Sequence, residues 1–197
     1  MKARDDVATP RGRSRHGPER YVALLRGVNV AGHGKLPMSG LRELFSALGL
    51  SDVATVLQTG NVVFAAARRD TNELEATFEQ EISERLGLTI DVLARTAREW
   101  ADVLDSNPFA REAKSDPSHL LVMFLKREVG EAEAAEVQAA ARGPEVVHAH
   151  ARELYITYPA GIGRSRLTGA LIEKTLGTRG TGRNWNTLLK INERVRP

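Results

Sequence analysis

Two packed α/β sandwiches, an α+β fold in which each half lays helices on a small antiparallel sheet, are what this 197-residue chain predicts. Three observations carry that expectation. Between residues 21 and 94 the apolar and turn-forming residues fall in the order strand, helix, strand, strand, helix, strand. Between 119 and 176 the order strand, helix, strand, strand, helix returns, and one more helix follows. Hydrophobic residues make up 42% of the chain, enough for a buried core, and cysteine is absent, which removes disulfides, thiolate metal sites and cysteine nucleophiles.

The elements follow in order. Tyr21 to Val28 is a nearly unbroken apolar run, the pattern of a strand covered on both faces. A glycine-rich loop, Asn29 to Lys35, leads to Pro37 in the first turn of a helix whose Leu41, Leu44, Phe45 and Leu48 form one stripe, with Gly49 as its stop. Strands at 53–57 and 62–66 flank a tight connection, Gln58-Thr59-Gly60-Asn61. Asp70 opens a second helix with Leu74, Phe78 and Ile82 on one side and Gly87 at its end, and 90–94 returns as a strand. This βαββαβ order is the ferredoxin-like plan. Thr96 and Glu99 form a capping box for a helix carrying Trp100, Val103 and Leu104. Residues 106–117 read as a connector, 119–125 as a strand, 131–141 as a helix, and 146–150 and 154–158 as strands. Helices at 164–176 and 185–195 complete the chain, with Ser165 near the N-terminus of the first. The expected organisation is therefore a basic tail (1–20), a first ferredoxin-like subdomain (21–105), the connector, and a second subdomain (118–197) with an extra C-terminal helix.

Charge is unevenly placed. The formal net charge is +3, and residues 1–20 alone hold six basic and three acidic groups, the whole excess. With little apolar content, that tail cannot repay its ordering entropy and reads as a disordered extension. Residues 161–197 carry eight bases against Glu173 and Glu193, whereas 21–160 sum to −6. A basic C-terminal segment on an acidic body draws anions more specifically than the global balance does. No apolar run is long enough to span a membrane and no signal-peptide centre is present, so the expectation is a soluble, cytoplasmic protein with no membrane partner.

Known nucleotide motifs do not fit the glycine-rich stretches. A phosphate loop ending on Gly34-Lys35 needs Gly where Asn29 stands and Ser or Thr where Leu36 stands. Gly27-x-Asn29-x-x-Gly32 lacks the middle glycine of a dinucleotide fingerprint. Gly163-x-Ser165-x-Leu167 lacks the last glycine of a nucleophile elbow. His148 and His150 share a strand face but show no third or fourth ligand, so neither a metal nor a cofactor is expected. The acidic pairs Glu79/Glu81 and Glu133/Glu136 fall on solvent faces with no acid–base task assigned.

Three stretches place small, amide or basic residues where strands meet turns or helices begin: 27–35, 58–61 and 177–190. Backbone N–H groups in such loops can approach an anion, and Lys35 or Arg183 would add charge. In 183–187, Arg183 would pair with phosphate or carboxylate, Trp185 would stack on a ring, and Asn184 and Asn186 would read polar edges. The competing assignment has Asn184 or Asn186 capping the last helix and Trp185 anchoring it to the core.

The segments YVALLRGVNVAGHGKLPM, VLQTGNVVF, YPAGIGRSRLT and TGRNWNTLLK, in that order, resemble the bacterial domain of unknown function 1697 family from about Tyr21 to the C-terminus. The resemblance implies two ferredoxin-like subdomains and no established activity. The family's usual first motif has Gly-Gly where this chain has Ala31-Gly32, and it often has Ser at Thr59 and a hydroxyl residue at Gly182.

The leading functional expectation is a small anionic or phosphorylated ligand held between the subdomains by Arg26, Asn29, Gly32, Lys35, Gln58, Asn61, Arg183, Asn184, Trp185, Asn186 and Lys190. A single-stranded nucleic acid, on a sheet face or through the +6 segment 161–197, is the second, although aromatic residues are only 5% of the chain. An enzyme using Lys35 or Arg183 electrostatically is the third. Oligomeric state has no signal in the sequence.

Overall fold

A computed structural model of the chain describes residues 17–29 and 36–196. The elements run β1 (Glu19–Leu25), α1 (Met38–Ala47), β2 (Ser51–Val56), β3 (Asn61–Ala66), α2 (Thr71–Leu86), β4 (Val92–Thr96), α3 (Ala97–Asp105) and α4 (Ala110–Ser115). They continue with β5 (Leu120–Leu125), α5 (Glu131–Ala140), β6 (Val146–His150), β7 (Glu153–Thr157), a 3-10 turn (Ile162–Arg164), α6 (Gly169–Leu176), β8 (Gly180–Asn184) and α7 (Trp185–Val195). Two four-stranded antiparallel sheets result, in the orders β2-β3-β1-β4 and β6-β7-β5-β8. The α+β sandwich expected from the sequence is the fold.

Alternation along the central strands sets the layers. Tyr21, Ala23 and Leu25 of β1 join Phe45 of α1 and Phe78 of α2 in an outer core, while Val22 and Leu24 face the other way. On β5, Met123 and Leu125 face α5 and α6, and Val122 and Phe124 face inward. The two inner faces share one core with Trp100 and Val103 of α3 and Leu188 and Ile191 of α7, which pack between the sheets. Trp100 stacks on Phe124 across that core, ring centroids 5.4 Å apart. Both central strands are thus apolar on both faces, as the unbroken run at 21–28 required.

Local signals account for most boundaries. The Asp70 carboxylate accepts from the Asn72 and Glu73 amides to start α2, and Gly87 ends it in the left-handed region at φ 63°. The Thr96/Glu99 capping box is formed in full. Three expectations need correction. Gly180–Asn184, read as loop, is strand β8, so the second half is a full βαββαβ unit. The helix expected from 164 is a 3-10 turn followed by α6, which starts only after Thr168 caps it by accepting from the Leu171 amide. Ser165 therefore lies between the two, where its hydroxyl accepts from the Leu167 amide and bonds the Glu145 carboxylate. The connector contains the short helix α4. Within the expected tail, residues 1–16 lie outside the described residues, and Glu19 and Arg20 belong to β1.

Candidate functional site

Arg183 is the anchor of the junction between the sheets. On β8 it lies opposite Val122 of β5, and its side chain enters the space between the sheets. All five guanidinium hydrogens are used. Nε donates to the Asn61 side-chain oxygen at 2.6 Å, Nη1 to Thr181 Oγ1 at 2.8 Å and the Gly182 carbonyl at 2.9 Å, and Nη2 to the Leu25 and Thr59 carbonyls at 2.9 and 3.0 Å. Among the described residues no carboxylate pairs with it, and burial pushes its pKa down to about 10. Neutral dipoles therefore solvate this cation, and its charge stays uncompensated.

The other half contains the same arrangement with one change. Arg95 lies opposite Val22 of β1 as Arg183 lies opposite Val122 of β5. Arg95 Nη1 donates to the Ala94 carbonyl, and Nη2 donates to the Leu125 and Arg152 carbonyls at 3.1 and 3.3 Å. Its Nε, however, donates to the Glu153 carboxylate at 2.7 Å, with Glu75 a further 3.8 Å from Nη1. Glu153 faces Phe124 in register as Asn61 faces Leu24. One buried arginine thus has a carboxylate where the other has an amide.

Ion pairs stitch the halves together in the same reciprocal way. Lys126, just past β5, bonds Glu79 of α2 at 2.5 Å, and Glu79 accepts from the Val92 amide. Arg26, just past β1, holds Glu173 of α6 through two bonds of 2.7 and 2.8 Å, and Glu173 accepts from the Gly180 amide. Burial acts to raise the Glu173 carboxyl, but Arg26, the Gly180 amide and Arg179 outweigh it and hold the group below its ordinary value.

A cavity of about 330 Å³ opens beside Arg183. Its walls come from the end of β1 and the turn after it (Leu25, Gly27, Val28), from Thr59, Leu121 and Ile162, and from β8 and the first turn of α7. Two of its threonine hydroxyls have hydrogens left to donate: Thr181 Oγ1 accepts from Arg183, and Thr59 Oγ1 accepts from Asn61 at 3.1 Å. Asn184 caps α7 by accepting from the Thr187 amide and hydroxyl, so the positive end of an eleven-residue helix faces the same space.

The expected site residues separate into groups. Arg183 lines the cavity and Asn61 bonds it, with Asn184 at the rim. Asn29, at φ 53°, ties the loop together by accepting from the Leu36 amide and donating to the Leu36 and Gln58 carbonyls. Arg26 is engaged with Glu173 and lines a separate cavity of about 390 Å³ with Lys174 and Arg179. Trp185 is buried in the shared core, while Gln58, Asn186 and Lys190 are exposed and outside the cavity's lining. Gly32 and Lys35 lie outside the described residues. Sequence reading missed Thr59, Thr181 and Thr187 as hydroxyl groups of the wall, and it missed the Arg95–Glu153 pair entirely. The signal was the matched position of two arginines on the last strand of each half, visible only once Gly180–Asn184 is a strand.

All ten aromatic rings are buried or half-buried, which leaves no stacking platform of the kind a sheet-bound nucleic acid uses. Among the described residues no three His, Asp or Glu side chains come together as a metal-ligand set, and His150 instead meets Asp102 at 2.9 Å. No helix among them is long and apolar enough to cross a membrane.

Comparison with solved structures finds a conserved bacterial protein, SP0830 from Streptococcus pneumoniae, with a TM-score of 0.72 at 18% identity, covering 91% of this chain and 100% of that one. That likeness is one of fold. No curated protein matches the chain. The model of a protein family of unknown function, DUF1697, matches residues 19–155, which takes in the first two sequence motifs and stops before the last two. The match covers more than half of the sequence, and the chain belongs to the DUF1697 family.

Proposed function

We propose that the protein binds a small anionic ligand in the cavity beside Arg183. The observation that carries this reading is the buried guanidinium bonded to Asn61 where its counterpart Arg95 is bonded to Glu153. A buried cation without a counter-charge is costly, and an anion in the adjoining space offsets that cost. Because every guanidinium hydrogen is occupied, Arg183 acts on the ligand through its field and through Thr181, whose hydroxyl it polarises. The threonine hydroxyls and the N-terminus of α7 supply the direct bonds.

Thermal unfolding with chloride, acetate, phosphate and nucleotide anions at constant ionic strength tests the reading. The expected result is a saturable rise in Tm with at least one anion for the wild type, and loss of that rise in Asn61→Asp. Asn61→Asp gives Arg183 a carboxylate but forfeits the 2.8 Å bond to the Val56 carbonyl, so Thr59→Val, which keeps that bond and the Thr59 backbone carbonyl that Arg183 uses, is the second variant and should weaken the rise. No response in the wild type, or an unchanged response in both variants, overturns the reading.

A further inference from the structure

Resting on the anion reading above, we infer that the ligand is a monocarboxylate with an apolar body rather than a phosphate ester. Among the described residues lining the cavity Arg183 is the one charged group, so they present a single uncompensated positive charge. A monoanion neutralises it; a phosphate carrying nearly two charges leaves the excess in a partly enclosed space where the described lining residues hold no second cation. Arg26 does not serve, because it is engaged by Glu173 and faces another cavity.

Donor geometry points the same way. Phosphate recognition by arginine uses the free edge of the guanidinium in a two-bond fork. Here that fork is spent on Leu25, Thr59, Gly182, Thr181 and Asn61. What remains is two hydroxyls and a helix N-terminus, a donor set sufficient for two carboxylate oxygens. The lining also includes the aliphatic Leu25, Val28, Leu121 and Ile162, which give a phosphorylated sugar or nucleoside few polar partners. At about 330 Å³ the cavity is at the small end of ligand sites.

Isothermal titration of the full chain with acetate, butyrate, hexanoate, hexanamide and inorganic phosphate, at equal ionic strength and neutral pH, separates the possibilities. Affinity should rise with chain length by up to about fourfold per methylene buried. Hexanoate should bind at least tenfold more tightly than phosphate or hexanamide, and Asn61→Asp should lower hexanoate affinity at least tenfold. Phosphate binding more tightly than hexanoate overturns the carboxylate inference and leaves the anion reading standing. Equal binding of hexanoate and hexanamide, or no binding of any anion, overturns both.

Discussion

Arg183 donates its Nε hydrogen to the Asn61 side-chain oxygen at 2.6 Å, joining the last strand of one sheet to the first residue of β3 in the other. In the first half of the chain the corresponding bond runs from Arg95 to the Glu153 carboxylate at 2.7 Å. The two halves therefore use one architectural device in two electrostatic forms, one closed by a carboxylate and one left open beside a cavity.

Glu153→Gln should give Arg95 an amide partner at Nε, as Arg183 has in Asn61, with Glu75 left as its one nearby carboxylate among the described residues. Arg95 is 1% exposed and would lose its closest carboxylate, keeping only Glu75 at 3.8 Å from Nη1, at a cost of about 3 kcal/mol. Urea denaturation at neutral pH measures it. The variant should gain no anion-dependent stabilisation beyond that of the wild type.

Arg183→Met removes five donors and leaves three backbone carbonyls unsatisfied between the sheets. The expected loss is about 3 kcal/mol or more. Arg183→Lys keeps the charge but has three donors in place of five, so it should recover only part of the loss in the same denaturation experiment.

Gly180→Ala should destabilise β8. A Cβ there would sit 2.7 Å from the Phe124 carbonyl oxygen and 2.8 Å from Leu125 Cδ2, and the backbone atom cannot yield. The cost is about 1–3 kcal/mol, read as a lower Tm. Because Gly180 also donates its amide to Glu173, any shift of the strand disturbs the Arg26–Glu173 link as well.

The Arg26–Glu173 pair sets a pH dependence. The Glu173 carboxyl is held below its ordinary value, so its contribution to stability is present above the ordinary glutamate pKa of about 4.3 and is lost as pH falls through the lower, folded value. Arg26→Met should cost about 1 kcal/mol at neutral pH, a modest figure because the Arg26 side chain is 35% exposed and screened by water. The gap between variant and wild type should close on acidification below about pH 4. Paired pH–stability curves check the sign.

Binding should titrate at the alkaline end. Arg183 has a pKa pushed down to about 10 by burial, so the free site loses its charge as pH rises past that value. Anion affinity should hold from neutral pH to about 9 and fall tenfold per unit well above 10, until the bound form also deprotonates. Titrations at pH 8 and pH 10.5 give the comparison.

Much of this fold was legible in the sequence because its signals are local. The stripe at Leu74, Phe78 and Ile82, the Asp70 cap and the Thr96/Glu99 box each specify an element without reference to the rest of the chain. Strand β8 was not legible. Gly-Thr-Gly-Arg-Asn has little strand propensity, and Gly180 is required because it passes too close to the Phe124 carbonyl for a side chain. Losing β8 hid the equivalence of Arg95 and Arg183. Arg183 and Asn184 stood out as candidates by composition, but the contrast of Glu153 with Asn61 depends on register between strands far apart in sequence. Trp185 stood out equally and is core, since an indole beside an arginine looks the same whether it faces a ligand or Leu188.

The most direct test is a nuclear magnetic resonance titration that follows the Arg183 Nε–H together with the Trp185 and Thr187 amides while hexanoate is added. The account predicts saturable shifts of all three at a common affinity, with the Arg95 Nε–H unmoved and no shifts in Asn61→Asp. Shifts that leave Arg183 and the first turn of α7 unchanged, or that persist undiminished in Asn61→Asp, would contradict it.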